Sequence, residues 1–382
     1  MIGQSIRLGT LWGIAIGVHA SWFLIFALVT ISLLAHFAEL HPHWTRAYAY
    51  TVSLSTSLFF FVSVLLHELG HSVVALRKNI PIRSITLFIF GGVAQLGKEP
   101  DRPLTELQIA IAGPLVSFAL AVLFGTLGRL AVDESEGLQT LGEWLGRINL
   151  QLALFNLLPG FPLDGGRVFR AAVWNWTGNF MRATQIAGNA GRAVAFLFIF
   201  SGFGMTLGGA FVQGLWIAFL GWFLLSATES NVQSITFQQA LGGLTAHDVM
   251  ATDYPRVPDS LSLTQLVEDH ILVTGKRCFL VTAEHDLLGL ITVHQVKSVP
   301  RAAWSHTTVH QAMIPLERLR YVTPEAPLNE VLTVMDEADL GQVPVVRNGK
   351  LLGLIGRDHL LRIIRTRIEF RDEQHRSDDS NT

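Results

Sequence analysis

Residues 62–76 read VSVLLHELGHSVVAL, and three side chains in this run can do chemistry. On a helix, positions i and i+4 share a face, so His67 and His71 can hold one ion between them. Neutral imidazole suits zinc, and a catalytic zinc takes three protein ligands and keeps a fourth position for water. Glu68 stands beside the first histidine, where it can take the proton of such a water. The competing reading is a pair of core histidines bonded to carbonyls, which fourteen histidines in the chain could produce by chance. Energy separates the two readings. An ionisable group within a membrane span costs roughly 2.5–3.5 kcal/mol on insertion scales. Three such groups so close together call for an ion or a cavity.

Two histidines need a third ligand. The stretch 155-FNLLPGFPLDGGRVFRA-171 sets Asn156 and Asp164 in an apolar surround, and Pro159, Gly160, Pro162, Gly165 and Gly166 interrupt any helix there. Irregular backbone at membrane depth is tolerated where it lines a cavity or packs inside protein, so Asp164 on such a segment can face the ion. The alternative is a cytoplasmic loop with a turn-forming Asp-Gly. A third stretch, 90-FGGVAQLG-97, is apolar, β-prone and rich in glycine. It reads either as a plain loop or as a short re-entrant strand. In the second case Gly91, Gly92, Val93, Ala94 and Gln95 offer an edge to which an extended substrate can add.

These residues need a frame. Half of the 382 residues are hydrophobic and only 15% are charged, which places the chain in the membrane class. A net charge of −2 without a basic tract gives no reason to expect nucleic acid, and the single cysteine, Cys278, excludes an internal disulfide framework. Long apolar runs fill residues 1–228, whereas 245–382 have ordinary soluble composition. The chain therefore reads as a membrane domain, a linker over 229–244 and a soluble domain. Candidate spans lie at about 14–36, 49–76, 104–131, 141–172, 186–207 and 210–228, about six in all. The mixture in 10-TLWGIAIGVHA-20 argues against helix there. The first apolar run is long for a signal peptide and no small-residue cleavage site follows it, so it is read as a membrane segment.

Orientation follows from the basic residues of the short loops. Arg77, Lys78, Arg83, Lys98 and Arg102 mark one side, as do Arg167, Arg170, Arg182 and Arg192. The loop near 37–48 has only Arg46, and 132–143 is acidic. Six spans with both termini in the cytoplasm satisfy this pattern, in the plasma membrane of a prokaryote. HELGH and 155–171 then lie at the same cytoplasmic depth.

The soluble part repeats. 247-HDVM-250 answers to 310-HQAM-313, and 287-LLGLITVHQV-296 to 351-LLGLIGRDHL-360. Copies over 245–308 and 309–366 each read as a helix, strands such as 278-CFLVTA-283 and 342-QVPVVRN-348, then a helix. Two copies with open apolar faces pack on each other. The tail 367–382 is charged, then polar, and reads as frayed. The expected fold class is thus a helical membrane domain with a small re-entrant β segment, plus a soluble α/β pair.

HELGH in an apolar helix, FGGVA after it and N-x-x-P-x-x-P-L-D-G-G-R from Asn156 together resemble the site-2 protease family of intramembrane zinc metalloproteases, over roughly residues 5–228. The resemblance implies one zinc on His67, His71 and Asp164, Glu68 as catalytic base, and Asn156 as a donor near the oxyanion. It also implies a six-helix core, and hydrolysis of a peptide bond within or beside a transmembrane helix of a substrate, single-span by family analogy, in lipid. No insert here is long enough for a PDZ domain. The repeat resembles a tandem pair of CBS (cystathionine-β-synthase) domains. That resemblance implies homodimerisation and an adenine nucleotide bound between the copies, with a Thr or Ser and an Asp after the G-L-I strand as contacts. Thr292 is present, but Gln295 stands in the Asp place. The second copy has Gly356 and His359 at the two places, with Asp358 one position early. Thr292 and Asp358 are the candidate contacts, and both copies depart from the pattern. Two functions follow: a CBS-regulated intramembrane protease, or a non-catalytic transporter or binding protein that uses the intramembrane charges for an ion. Glu68 beside His67 favours the protease.

Overall fold

The structure, a computed structural model, describes residues 6–89, 91–283, 286–337, 340–348 and 350–367. The chain divides into two compact units, Met1–Gln233 and Ser234–Thr382. The polar tail from 368 onward lies outside the described residues.

The first unit opens with a hairpin. Strands β1 (Ile6–Leu11) and β2 (Ile14–Val18) pair antiparallel across a turn in which Trp12 and Gly13 both have positive φ. This is the backbone that a tight two-residue hairpin turn needs. Helix α1 (Ala20–Leu40) therefore starts at Ala20, later than the expected span at 14, because 14–18 are claimed by the sheet. Helix α2 (Arg46–Arg77) starts at a Thr45 cap. Strand β3 (Ile82–Phe88) joins β2 in parallel and β4 (Gly91–Leu96) folds back antiparallel on β3, giving the order β1-β2-β3-β4. Ile14, Ile82 and Ile85 of the sheet pack with Leu69 and Ala75 of α2 and Ile109 of the next helix. This core holds the sheet against the half of α2 that carries HELGH.

Helices α3 (Pro103–Leu130), α4 (Glu136–Asn156), α5 (Asp164–Thr177), α6 (Phe180–Leu207) and α7 (Phe211–Leu241) follow. Among the described residues five helices, α1, α2, α3, α6 and α7, are long and apolar enough to cross a membrane. Their exposed faces carry Leu28, Leu115, Leu197 and Phe200, side chains for which lipid is the matching solvent. The expected fourth span, about 141–172, is two helices. Pro159 and Pro162 lie in the break, and α4 itself carries Gln139, Glu143, Arg147, Asn149 and Gln151, too polar for the same criterion. It packs closely on α3 and buries Asn149, while Glu143, Arg147 and Gln151 stay exposed. A methyl group at Gly142 would lie 2.6 Å from the Gly128 Cα, so small residues let the two backbones touch, as membrane helices often do.

The second unit holds two similar motifs. A short strand β5 (Arg256–Pro258) runs parallel to β6 (Cys278–Ala283), which forms a hairpin with β7 (Asp286–Thr292). In the second motif Val322 bridges Val345 in parallel on β9 (Gln342–Arg347), which forms a hairpin with β10 (Lys350–Gly356). The leading segment of each copy pairs with the other copy. Ala251 bridges Leu354 of β10, and β8 (Ile314–Pro315) pairs with β7. One apolar core accordingly joins Ala246 and Val249 to Val322, Val343 and Ile355, and the other joins Val309 to Val257, Phe279 and Ile291. Each copy needs the other to complete its core, which is the physical content of the repeat.

Cys278 lies between the two hairpins with Leu280, Leu290 and Leu354. Burial pushes its thiol up to about 12, so it stays protonated and unreactive at neutral pH. Iodoacetamide at pH 8 should label the native protein roughly a hundredfold more slowly than the urea-unfolded chain, since the thiolate is the nucleophile. Equal rates by intact-mass spectrometry would show that the copies do not close over this residue.

Candidate metal centre

His67 and His71 lie one turn apart on α2, both buried. Their outer nitrogens are held by α3. The His71 Nδ1–H donates to the Ile109 carbonyl at 2.7 Å, and His67 Nδ1 lies 2.8 Å from Ser117 Oγ. A carbonyl only accepts, so in the neutral ring the His71 proton is on Nδ1 and Nε2 presents a lone pair. That Nε2 lies 3.2 Å from His67 Nε2 and 3.1 Å from Asp164 Oδ2, and His67 Nε2 lies 3.0 Å from the same oxygen. The three ligand atoms form a nearly equilateral triangle. A tetrahedral ion with bonds of about 2.0–2.1 Å spaces its ligands about 3.3 Å apart. The donor set and spacing therefore fit zinc, and no single proton can serve all three atoms.

The gap between the two rings is kept open by Gly113. A methyl group there would lie 2.6 Å from His67 Nε2 and closer still to His71 Nε2. Ile109, Gly113 and Ser117 fall at i, i+4 and i+8, so one face of α3 orients both rings and leaves the gap between them. None of the three was singled out in the sequence. A carbonyl carries no sequence signal, and a serine or glycine in an apolar helix is ordinary.

Asp164 is the first residue of α5, directly after the broken segment 157–163. The segment is fixed from several sides. The Thr228 hydroxyl of α7 donates to the Phe161 carbonyl at 2.5 Å, and a methyl at Gly166 would lie 2.5 Å from Phe161 N, so the loop folds closely over the glycines of D-G-G. Further along α5, the guanidinium of Arg170 is fully buried and donates to Glu106 of α3 and to Glu99 at 3.2 Å. It also lies over the rings of Phe161 and Phe180. Losing one partner of such a pair typically costs about 3–5 kcal/mol, because the other charge is left buried. Opposite charges in two candidate spans were a readable signal for this bond.

Glu68 points away from α3, toward the sheet. A methyl at Gly92 would lie 2.5 Å from its Cγ, and the Ala94 main chain hydrogen-bonds its carboxylate. Of the expected edge Gly91–Gln95, the structure therefore brings Gly92 and Ala94 against Glu68. Residues 91–95 all fall within β4, whose outer side pairs with no further strand among the described residues. Asn156 closes α4, half-buried and eight residues before Asp164, and among the described residues its amide makes no hydrogen bond. In the second unit Thr292 caps a short helix. Its hydroxyl donates to Gln295 and accepts from the His294 N–H at 3.2 Å. Asp358 is exposed, and no hydrogen bond joins it to Thr292.

The sequence matches the model of peptidase family M50 over residues 55–135 and 131–200, and that of the CBS domain over 309–366. The chain is 34% identical over 368 residues to the zinc metalloprotease candidate sll0528 of Synechocystis, covering 96% of this chain and 97% of that protein. It is 30% identical over 372 residues to the zinc metalloprotease MJ0392 of Methanocaldococcus jannaschii, covering 97% and 99%. Among solved structures it is similar to a site-2 protease from the same archaeon, at 31% identity and a TM-score of 0.40 over 59% of this chain and 94% of that one.

Gly113→Ala tests the gap directly. The variant should fold, by circular dichroism, yet retain less than about a tenth of the parent's tightly held zinc, because its methyl fills the gap between the two rings. Full zinc content in the variant would place the ion elsewhere.

Proposed function

The chain belongs to peptidase family M50, the site-2 protease family, and from that membership we propose which of its residues carry the reaction. It is an integral membrane zinc metalloprotease with a CBS domain. The observation that carries the assignment is the triangle of His67, His71 and Asp164, three ligand atoms at 3.0–3.2 Å in a protein interior. These residues are assigned as the ligands of one zinc. Bound there, zinc supplies Lewis acidity toward the scissile carbonyl and toward water, whose pKa it lowers to about 7.

Glu68 takes the proton of the attacking water and returns it to the leaving amine. Asn156, with an amide free of internal hydrogen bonds, donates to the developing oxyanion. A helical substrate hides its backbone in its own hydrogen bonds, so it must unwind before attack. The open edge of β4 holds the unwound segment through main-chain hydrogen bonds and brings it over Glu68. The substrate is a membrane protein, and the reading favours one with a single span. Six crossings, with α4 as the sixth, put both termini in the cytoplasm of a prokaryote, as the loop charges require.

The CBS pair is assigned to homodimerisation and to modulation of turnover. The Thr292 hydroxyl is already engaged by Gln295 and the His294 N–H, which favours docking over an adenine nucleotide there. Removing residues 245–382 should change turnover of a reconstituted substrate severalfold; identical rates in the truncated and full chains would remove the regulatory role.

Two variants separate the catalytic roles. Glu68→Gln should keep about one zinc per chain and lose roughly 10²–10⁴-fold in turnover, the usual contribution of a general base. Asp164→Ala should lose the tightly held zinc and activity together. A Glu68→Gln protein that cleaves at the parental rate would end the hydrolytic assignment of this residue.

A further inference from the structure

The turn between α1 and α2 reads 41-HPHW-44, and it meets the first residue of α4. His41 Nδ1 lies 2.9 Å from Glu136 Oε1, and His43 Nε2 lies 2.7 Å from Oε2. One ligand atom from each of the three residues falls within 4.8 Å of the others. Along α2, His67 is some twenty residues beyond this turn, about 30 Å at the helical rise, so the cluster is separate from HELGH.

We propose that His41, His43 and Glu136 form a second divalent-metal site, for zinc or a similar nitrogen-seeking ion, that ties the α1–α2 turn to the start of α4. Two imidazoles and a carboxylate are a donor set that zinc, nickel and copper(II) all accept. The surroundings are built as metal sites are built. The outer nitrogen of His41, Nε2, lies 3.0 Å from the Thr140 hydroxyl. The Trp44 indole N–H donates to Glu136 Oε2 at 2.9 Å, and its ring stacks on that of His41 with centroids 4.1 Å apart and planes 6° from parallel. Such outer partners fix ligand orientation and tautomer. Pro42 restricts the backbone between the two histidines. Beneath them Leu33, Phe37, Val52, Leu141 and Trp144 form an apolar floor shared with Trp44.

The site differs from the buried centre in two ways that set its behaviour. It is open: the His43 side chain is 65% exposed and that of Glu136 45%, so water reaches the ion and fills its remaining positions. It is also satisfied without metal, since each imidazole can donate a proton to the carboxylate. An ion must displace those protons, so it binds reversibly and more weakly than at HELGH. The wider spacing closes by rotation of the exposed His43.

The test uses the full-length protein in detergent with zinc alone as the probe. Asp164→Ala removes a ligand of the buried centre, so equilibrium dialysis in that background reads the outer site. Zinc should still bind to Asp164→Ala, and adding His43→Ala or Glu136→Gln should weaken that binding at least tenfold. His43→Ala alone should leave the tightly held zinc in place. His43 is largely exposed, so its loss does not threaten folding. Zinc binding to Asp164→Ala that neither added substitution changes, or no zinc binding to Asp164→Ala at all, overturns the site. The buried centre is judged separately, by the tightly held zinc of the parent.

Discussion

Two imidazole lone pairs and a carboxylate oxygen about 3 Å apart repel one another unless positive charge lies between them. Water would screen this repulsion, but His67 and His71 are buried. The arrangement exists only if surrounding elements force it or an ion rewards it, and the forcing elements are visible in the fold. Ile109 and Ser117 take the outer nitrogens, so the rings cannot turn to escape. Gly113 provides room for a cation and for nothing bulkier than hydrogen from its own side chain.

From that constraint the role of α3 follows. The same helix orients both rings, faces the gap, and through Glu106 grips Arg170 of α5, the helix that begins with Asp164. A buried ion pair is weak evidence for net stability, because desolvation offsets most of the attraction. Its value here is geometric: it links the proposed carboxylate ligand and the orienting partners of the histidines through one rigid element. The broken segment 157–163 alone would be a poor mount. It becomes a firm one because Thr228, Gly166 and Arg170 pin Phe161 from three sides.

Polarity in the wrong place is what made the centre legible in the sequence. His67, Glu68, His71 and Asp164 are visible because apolar residues surround them, and the soluble repeat is visible because two copies can be laid side by side. The partners of these residues were hidden for a common reason, that their function lies in main-chain atoms or in the absence of a side chain. Ile109 acts through its carbonyl and Gly113 through its missing Cβ. Helix limits were less legible than helix existence. Residues 14–18 are apolar enough for a span, yet they are drawn into a sheet by β3, far away in sequence. The close approach of α4 to α3 rests on a glycine contact that hydropathy cannot register.

Within HELGH every position has a separate neighbour, and the period of the helix explains the order. Positions 67 and 71 share the face toward α3. Gly70 lies on the adjoining strip, where a methyl would come within 2.9 Å of Val116, so glycine lets α2 and α3 approach closely enough for Ile109 and Ser117 to reach the rings. Leu69 turns into the apolar core shared with the sheet. Glu68, about 100° around the helix from His67, faces β4. A single turn thus presents the proposed ligands on one side and the proposed base on another, with the strand edge nearest the base. An extended peptide added to that edge arrives beside Glu68 without having to displace the helix that holds the histidines. Moving the glutamate to either neighbouring position would turn it into the α3 contact or into the sheet core, and the strand would then meet no base.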